Sequence, residues 1–412
     1  MNVELSANAR KLVAQSPAGK ELAEFADWMA AEKYTPFVTE LHLRRLAYII
    51  PQLPNATPGA SYSLEQLEAV FGRERSSLSR FHHYASTRRA YARFLRASGR
   101  LRHEAPGPYG VLCDQYARFL LDVRGLSASS RHHHSMIVAD LLARGLRRHR
   151  PLSLLTRADV ERYVLLRSQQ ESRHSLQHTV AYLRAFLRYA HDAGHIDTRL
   201  DGIDTPRTYR DELPPRAMPW DRVMTILDSV DLHSKSGWRD LCILHLIAYY
   251  GLRPSEVIAL RLDSIDWDAD VLNVHQCKTR SMLILPLAAP TRRLLKDYLH
   301  HDRSKRASAA PQLFLRARCP FIPLERTAVG EIFERRVLAA GIPGLGKQVY
   351  RLRHTVAMRM LSRGVGIKAI GDVLGHRSLY GTCAYLRLDV AMLRGVALDV
   401  PHRVRHIGDR HA

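Results

Sequence analysis

Two tyrosines near the end of the chain pose a chemical question. The stretch LGHRSLYGTCAY, residues 374–385, contains His376 followed by Tyr380 and Tyr385. A tyrosine hydroxyl is a poor nucleophile at neutral pH because its pKa is about 10. Nearby cations make the phenolate form more accessible. The positions of the arginines, lysines and histidines elsewhere in the chain therefore decide whether either tyrosine can react.

Two upstream motifs supply such cations. In GLRPSEV, Gly251 is expected to end one helix and Pro254 to begin the next, with Glu256 in its first turn. Arg253 would then lie beside free backbone N–H groups, a good position for a phosphate. On this motif alone, a surface ion pair between Arg253 and Glu256 is the more usual outcome. In HQCKTRS, Lys278 would occupy a hairpin tip and reach into a groove, although a solvated turn lysine is the ordinary interpretation.

A third motif, VYRLRHTVAMRML, is helical in pattern. Tyr350 and Arg353 are three residues apart, so they share a helix face. His354 lies about 100° around the helix from Arg353 and is expected to point elsewhere.

Taken in order, these motifs resemble the tyrosine recombinases, also called the phage integrase family. The resemblance rests on GLRPSEVIAL, a lysine on a hairpin, YRLRHTVA, LGHRS and a tyrosine nine residues after that histidine. It covers about residues 206–400 and extends weakly over 108–200, which looks like the family's helical DNA-clamping domain. Each motif alone is weak, and their order and spacing make the resemblance specific.

The resemblance implies a role for each matching residue. Arg253 and Arg353 would clamp the non-bridging oxygens of the scissile phosphate, and His376 would hydrogen-bond the same phosphate. Lys278 would protonate the leaving 5′ oxygen. Tyr385 would be the nucleophile that forms a 3′-phosphotyrosyl link. The cations would stabilise charge on the phosphoryl oxygens, as metal ions do elsewhere, so we expect neither a metal nor another cofactor.

One position departs from the family pattern. The family usually has histidine where this chain has Tyr350. A tyrosine hydroxyl can donate a hydrogen bond to a phosphate but cannot titrate near neutral pH as histidine does. We expect Tyr350 to contact the phosphate and the enzyme to remain active. His354 is not expected to replace the missing histidine because of its helical phase, and Tyr380 is interpreted as a packing or surface residue.

The charge balance favours a nucleic-acid partner. The 412 residues include 62 lysines and arginines against 40 acidic residues, a formal net charge of +22. A cationic face gains affinity by releasing counterions from phosphates, although a membrane surface or a merely basic protein is an alternative. Three adjacent histidines in SSRHHHS point in different directions on a helix, so no metal site is expected there.

Cysteine usage and hydropathy exclude several classes of protein. The five cysteines show no paired ligand spacing, which argues against a zinc site and a disulfide framework. The first residues lack the apolar core of a signal peptide, and the longest apolar run, LCILHLIAYYGL, is too short to span a bilayer. We therefore expect no membrane association and a cytoplasmic, nucleoid-associated protein.

Two stretches rich in proline and glycine, 103–110 and 201–219, divide the chain. We predict an extra N-terminal helical domain at 1–103, a helical, SAM-like domain that binds core DNA at 104–205, an α+β catalytic domain at 206–400 and a basic tail at 401–412. The fold class is mainly α with a small β-sheet in the catalytic domain.

The first two segments look like a duplication. YSLEQLEAVF parallels LTRADVERYV, and each opens with a Ser or Thr cap. The apolar residues at 22, 25, 28 and 29 match those at 113, 116, 119 and 120 with an offset of 91.

The catalytic segment mixes helices and strands. SGWRDLCILHLIAYY is predicted to be a buried helix, VLNVHQC and MLILPL two strands joined by a KTRS turn, and TRRLLKDYL a helix. From Tyr350 to about Ala397 the pattern is helical, with breaks at Gly364, Gly366 and Gly381. The last part, LRLDVAMLRGVALDVP, can form an amphipathic helix that docks on a neighbouring protomer or packs within its own chain.

The sequence thus predicts a site-specific DNA recombinase of the integrase or transposase type. It would act on double-stranded DNA as a synaptic homo-tetramer, with or without partner recombinases. Its tail and extra N-terminal segment also look like transposon-borne recombinases, including those encoded in adjacent trios. The alternatives are a DNA-relaxing topoisomerase with the same tyrosine chemistry and a DNA-binding accessory protein that has lost activity.

Overall fold

The chain forms two compact units, Met1–Glu212 and Leu213–Ala412, in a computed structural model. The boundary falls inside the second Pro/Gly-rich stretch. The residues that the structure describes are 5–74, 77–102, 109–145, 150–208, 216–276, 281–303, 310–376, 378, 380–383 and 385–386.

The first unit is helical apart from one short parallel strand pair. Its elements are α1 Ala7–Gln15, α2 Gly19–Ala31, α3 Pro36–Ile49, β1 Tyr62–Ser63, α4 Leu64–Phe71, α5 Leu78–Ala97, β2 Leu101–Arg102, α6 Gly110–Asp122, α7 Ala128–Arg144, α8 Arg157–Ser168 and α9 Arg173–Asp192. β1 pairs with β2.

Two separate hydrophobic cores lie in this unit. The N-terminal bundle, α1 to α5, buries Phe25 and Tyr91 at its centre. The second bundle, α6 to α9, buries Tyr116, Tyr163 and Phe186. The prediction that both segments are helical is confirmed, while their roles and domain bounds stay predictions.

The second bundle repeats four helices of the first in order. Helices α2 and α6 each have 13 residues and begin 91 residues apart, and α5 and α9 each have 20 residues and begin 95 apart. Helices α4 and α8 both begin with a capping box, formed by Ser63 with Gln66 and by Thr156 with Asp159. This agreement supports the duplication that the sequence predicts.

The second unit mixes helices with one small antiparallel sheet. Its elements are α10 Trp220–Asp228, α11 Gly237–Tyr250, α12 Pro254–Ala259, β3 Ile265–Asp266, β4 Val271–Gln276, β5 Ser281–Pro286, α13 Ala289–Tyr298 followed by a π-helical turn Leu299–Arg303, α14 Arg326–Ala339, α15 Tyr350–Ser362, α16 Ile367–Leu374 and α17 Tyr380–Cys383. The strand order is β3-β4-β5.

Most of the predicted elements of this unit are present. Helix α11 is buried, as expected, and Gly251 ends it in the left-handed conformation. β4 and β5 pair as predicted, and the turn between them lies outside the described residues. The break at Gly381 is wrong, because this residue lies within α17 and the helix before it ends at Gly375. The predicted tail helix also lies outside the described residues.

Within the described part of the chain, no helix combines the length and apolar character needed to cross a membrane.

A buried carboxylate connects α11 to α14 in the second unit. The side chain of Asp240 is completely buried. Its oxygens lie 2.6 Å from Arg239 Nη2 and 3.0 Å from Arg336 Nη2, and Ser236 donates a hydroxyl hydrogen bond to it. Because both arginines are themselves buried, the carboxylate compensates charges that water cannot reach.

Replacing this carboxylate should destabilise the second unit. We expect Asp240→Ala to lower its free energy of unfolding by about 3–5 kcal/mol, because two buried guanidinium groups lose their counter-ion. Chemical denaturation followed by circular dichroism measures the change. Asp263→Ala is the matched control, since Asp263 pairs with Arg261 at an exposed site and should show no measurable loss. Equal stability of the two variants would contradict this account.

Buried histidines should make stability depend on pH. Burial lowers the pKa of His42 and of His245 from 6.5 to about 4. Between these values the unfolded chain binds protons that the folded chain does not, so the free energy of unfolding should fall as the pH decreases from about 6.5 towards 4. Denaturation at pH 7 and pH 5 tests this. His245→Gln should reduce the slope for the second unit, and an unchanged slope would count against burial as the cause.

Candidate active site

Arg253 lies at the start of α12, directly after the turn that Gly251 forms. Glu256 accepts hydrogen bonds from the Arg253 backbone N–H at 2.8 Å and from Arg253 Nη1 at 2.6 Å. The ion pair between Arg253 and Glu256 that the sequence suggests is therefore present. The expectation that it lies on the surface is wrong, because Glu256 is buried and Arg253 is half-buried. A buried carboxylate fixes the direction in which this arginine points.

Arg353, in the first turn of α15, is buried. Its Nη1 donates to the carbonyl oxygen of Gly251, and its Nη2 donates to that of Leu374 at 2.6 Å. Burial lowers the pKa of Arg353 to about 10, and Arg253 adds to this effect. The arginine stays protonated at neutral pH. Two of the five N–H groups of a guanidinium are thus used by the backbone.

Glycines end the two helices that supply these carbonyls. Gly251 follows α11 with φ +63°, and Gly375 follows α16 with φ +62°. A Cβ at position 251 would collide with Leu374, and one at position 375 would collide with Gln276 at the end of β4. Both positions therefore need glycine for backbone conformation and for space. The close packing also brings the end of β4 beside the residue that precedes His376.

His376 is held by a buried hydroxyl. Its Nδ1 lies 2.7 Å from Thr382 Oγ1 in α17. Burial is the main cause that lowers the pKa of His376 to about 4, and Arg353 and Arg253 contribute to this value. The imidazole is therefore neutral at pH 7. When the threonine hydroxyl donates to Nδ1, Nε2 carries the proton and is a hydrogen-bond donor.

Tyr385 is buried, with 3% of its surface exposed, in a cluster with Ala357, Leu361, Ile370 and Leu374. Burial raises the pKa of its hydroxyl, while Arg353 and Arg253 act in the opposite direction. The two arginines lower the pKa of Tyr385, as expected for cations that make the phenolate more accessible. The effect of burial on this pKa is larger, however, than that of the two arginines.

The structure corrects the interpretation of His354. Its Nδ1 lies 3.0 Å from the hydroxyl oxygen of Tyr385, and the two rings are 5.8 Å apart. The helical phase correctly separates His354 from Arg353, but the conclusion that His354 lies outside the site is wrong. The segment with Tyr385 packs against the face of α15 that carries His354. Periodicity describes one helix and does not reveal what packs against each of its faces.

Of the other residues that the sequence analysis considered for the site, two lie in the described part of the chain and one lies outside it. Tyr350 is the first residue of α15, is 52% exposed, and lies close enough to Arg353 for its ionised form to raise the pKa of the arginine. Tyr380 is exposed, as expected for a surface residue. Lys278 lies outside the described residues, in the connection between β4 and β5.

Comparison with known proteins identifies the family of the chain. Residues 216–392 match the model of the phage integrase family. Integrase/recombinase y4rA of Sinorhizobium fredii is 32% identical over 289 residues, which cover 69% of this chain and 70% of that protein. The chain belongs to the phage integrase family, the tyrosine recombinases. Tyrosine recombinase XerC of Chlamydia caviae is 26% identical over 247 residues, covering 59% of this chain and 77% of that protein.

Solved tyrosine recombinase structures share the fold. A lambda integrase dimer bound to a COC′ core site has a TM-score of 0.52 at 16% identity, covering 78% of this chain and 91% of that chain. The Tn1549 transposon integrase in complex with a circular intermediate DNA has a TM-score of 0.51 at 17% identity, covering 68% of this chain and 99% of that chain. All six predicted site residues lie within the matched range 216–392.

Proposed function

We propose that this tyrosine recombinase cleaves and rejoins duplex DNA at specific sites through a 3′-phosphotyrosyl intermediate on Tyr385. The observation that carries the proposal is the arrangement around α15. Arg353 and His354, adjacent on this helix, lie beside the turn with Arg253 and beside Tyr385. A phosphate bound by the two arginines would meet the tyrosine hydroxyl there.

The two arginines are suited to binding the scissile phosphate. Their positions are set by Glu256 and by the carbonyl groups of Gly251 and Leu374, and each guanidinium retains further N–H donors. Donors fixed before the substrate arrives stabilise growing charge on the phosphoryl oxygens without reorganising. Neutral His376 would add a hydrogen bond to the same phosphate.

The reaction conserves the phosphodiester bond energy. Tyr385 attacks phosphorus as the bond to the 5′ oxygen breaks, and Lys278 supplies a proton to that oxygen. The released 5′ hydroxyl of the same or another strand then attacks the phosphotyrosine. Rejoining needs no ATP because the covalent link stores the energy of the bond.

The partner we propose is double-stranded DNA held by an assembly of recombinase protomers. The net charge of +22 suits a DNA backbone. A related lambda integrase has been solved as a tetramer bound to a Holliday junction. We propose that four protomers assemble in synapsis. The second bundle and the second unit would each bind the core site, and the N-terminal bundle would bind flanking DNA or partner proteins. We propose that the protein acts in the cytoplasm, at the nucleoid, where DNA of this kind would be found.

A covalent-adduct assay tests the proposed chemistry. Nicked suicide duplexes from DNA that flanks the gene are incubated with the protein without added metal. We expect an SDS-resistant protein–DNA band that Tyr385→Phe abolishes, because phenylalanine has no nucleophilic oxygen. Tyr380→Phe is the matched control and should keep the band. An adduct that survives Tyr385→Phe would refute the assigned nucleophile, and a binding-competent protein without any adduct would favour an accessory DNA-binding role.

Tyr350 should contribute to the rate without being essential. If its hydroxyl donates to the phosphate, Tyr350→Phe should slow single-turnover cleavage by about 10-fold, the loss expected for one hydrogen bond to a charged group. Tyr249→Phe is the control, since Tyr249 is also an exposed tyrosine but contacts Met224. An unchanged cleavage rate in Tyr350→Phe would remove its phosphate-binding role.

A further inference from the structure

We propose that His354 is a catalytic residue, the base that accepts the hydroxyl proton of Tyr385 as this tyrosine attacks the phosphate. The inference rests on the proposed function, because it assigns a step within that reaction. The residue follows Arg353 in α15 and contacts the hydroxyl of Tyr385.

The contact has the geometry that a base requires. His354 Nδ1 lies 3.0 Å from the hydroxyl oxygen of Tyr385, within hydrogen-bond distance. Tyr385 is buried and His354 partly buried, so the protein rather than bulk water occupies the position of the proton acceptor. When Tyr385 is the donor, the lone pair of Nδ1 already points at the proton to be removed.

Other described side chains of the site are less suited to this step. Arg253 and Arg353 have no lone pair to accept a proton. The Nδ1 atom of His376 is engaged by Thr382, and the carboxylate of Glu256 is engaged by Arg253. His354 is therefore the described site residue with a basic nitrogen directed at the tyrosine oxygen.

The surroundings keep His354 in the form that a base needs. Its neighbours that titrate or carry charge are Arg351 and Arg353 on its own helix, and His376 and Tyr385 from the segments packed against it. Burial and the two arginines lower the pKa of His354, so its imidazole is neutral at pH 7. A bound phosphate would offset the repulsion from the arginines and make the imidazole more basic at the moment of attack.

The proton balance of the step is complete. The O–H bond of Tyr385 breaks, and its proton moves to His354 Nδ1. The tyrosine oxygen forms the new bond to phosphorus while the bond from phosphorus to the 5′ oxygen breaks, and that oxygen takes the proton that the proposed function assigns to Lys278. In the rejoining step the attacking 5′ hydroxyl returns its proton to the lysine, the imidazolium returns its proton to the departing tyrosine oxygen, and the site is restored.

The contact between His354 and Tyr385 could also restrain the tyrosine instead of activating it, and an experiment distinguishes these two roles. A hydrogen bond to a buried tyrosine also restrains it, and loss of a restraint would speed up cleavage. Loss of a base would slow it. The rate of adduct formation in single turnover therefore distinguishes the two roles.

The test uses the full chain with the suicide duplexes described above. His354→Asn places an amide near the position of Nδ1 and retains a hydrogen bond but no basic nitrogen. We expect adduct formation to slow about 100-fold at pH 7, the lower end of typical losses for a general base. His245→Asn, a histidine outside the site, is the matched control and should keep the wild-type rate.

Two further readouts exclude a merely structural role. The wild-type rate should fall as the pH is lowered through the pKa of His354, and the variant should lose this dependence. A duplex with sulfur in place of the bridging 5′ oxygen has a leaving group that needs no proton, so it should not rescue His354→Asn. Thermal unfolding of the variant, expected to match the wild type, confirms that the fold is intact.

The outcomes separate the base from the proposed function. A wild-type adduct with unchanged or faster cleavage by His354→Asn overturns the base, as does rescue by the sulfur duplex. The base is supported if the His354→Asn variant is folded, cleaves slowly and lacks the decrease in rate that the wild type shows at low pH. Failure of the wild type to form any adduct, or an adduct without Tyr385, removes the proposed function and the base with it.

Discussion

The guanidinium of Arg353 is buried between two helix C-termini, and the rest of the site is built around it. The carbonyl groups that hold it belong to Gly251 and Leu374, at the ends of α11 and α16. Helix C-termini carry partial negative charge and unpaired carbonyl groups, so a buried cation there satisfies both. Two left-handed glycines make this approach possible. The turn that ends α11 also positions Arg253, and the turn that ends α16 leads directly into His376.

Burial and positive charge have opposite effects on the pKa of Tyr385. Burial raises the pKa of Tyr385, whereas Arg353 and Arg253 lower it. Burial lowers the pKa of His376 and of His354, and the effect is increased by Arg353 and Arg253 at His376 and by Arg353 and Arg351 at His354. A phosphate bound at such a site would relieve the repulsion among the cations that the fold has brought together. It would therefore also shift the protonation equilibria of the neighbouring side chains.

The first unit consists of two similar helical bundles. Its two bundles repeat the same order of four helices, including the capping boxes that start α4 and α8. Each bundle buries its own set of apolar side chains, so the two hydrophobic cores are separate.

Local patterns in the sequence were sufficient for much of this description. Helix α11 and its glycine stop, the β4–β5 pair and the caps of α4 and α8 follow from periodicity, cap residues and glycine, which act over a few neighbouring residues. The family could be recognised because its motifs are short and keep their order. The break placed at Gly381 failed because glycine is also tolerated in a short helix.

Only the tertiary structure decided which faces meet. The burial of Glu256, the carbonyl partners of Arg353 and the contact of His354 with Tyr385 join residues that lie on different elements. The sequence places His354 on a helix face different from that of Arg353, and this is correct. It does not reveal that the tyrosine segment covers that face. Such contacts depend on packing between elements distant in the chain, and no local periodicity encodes them.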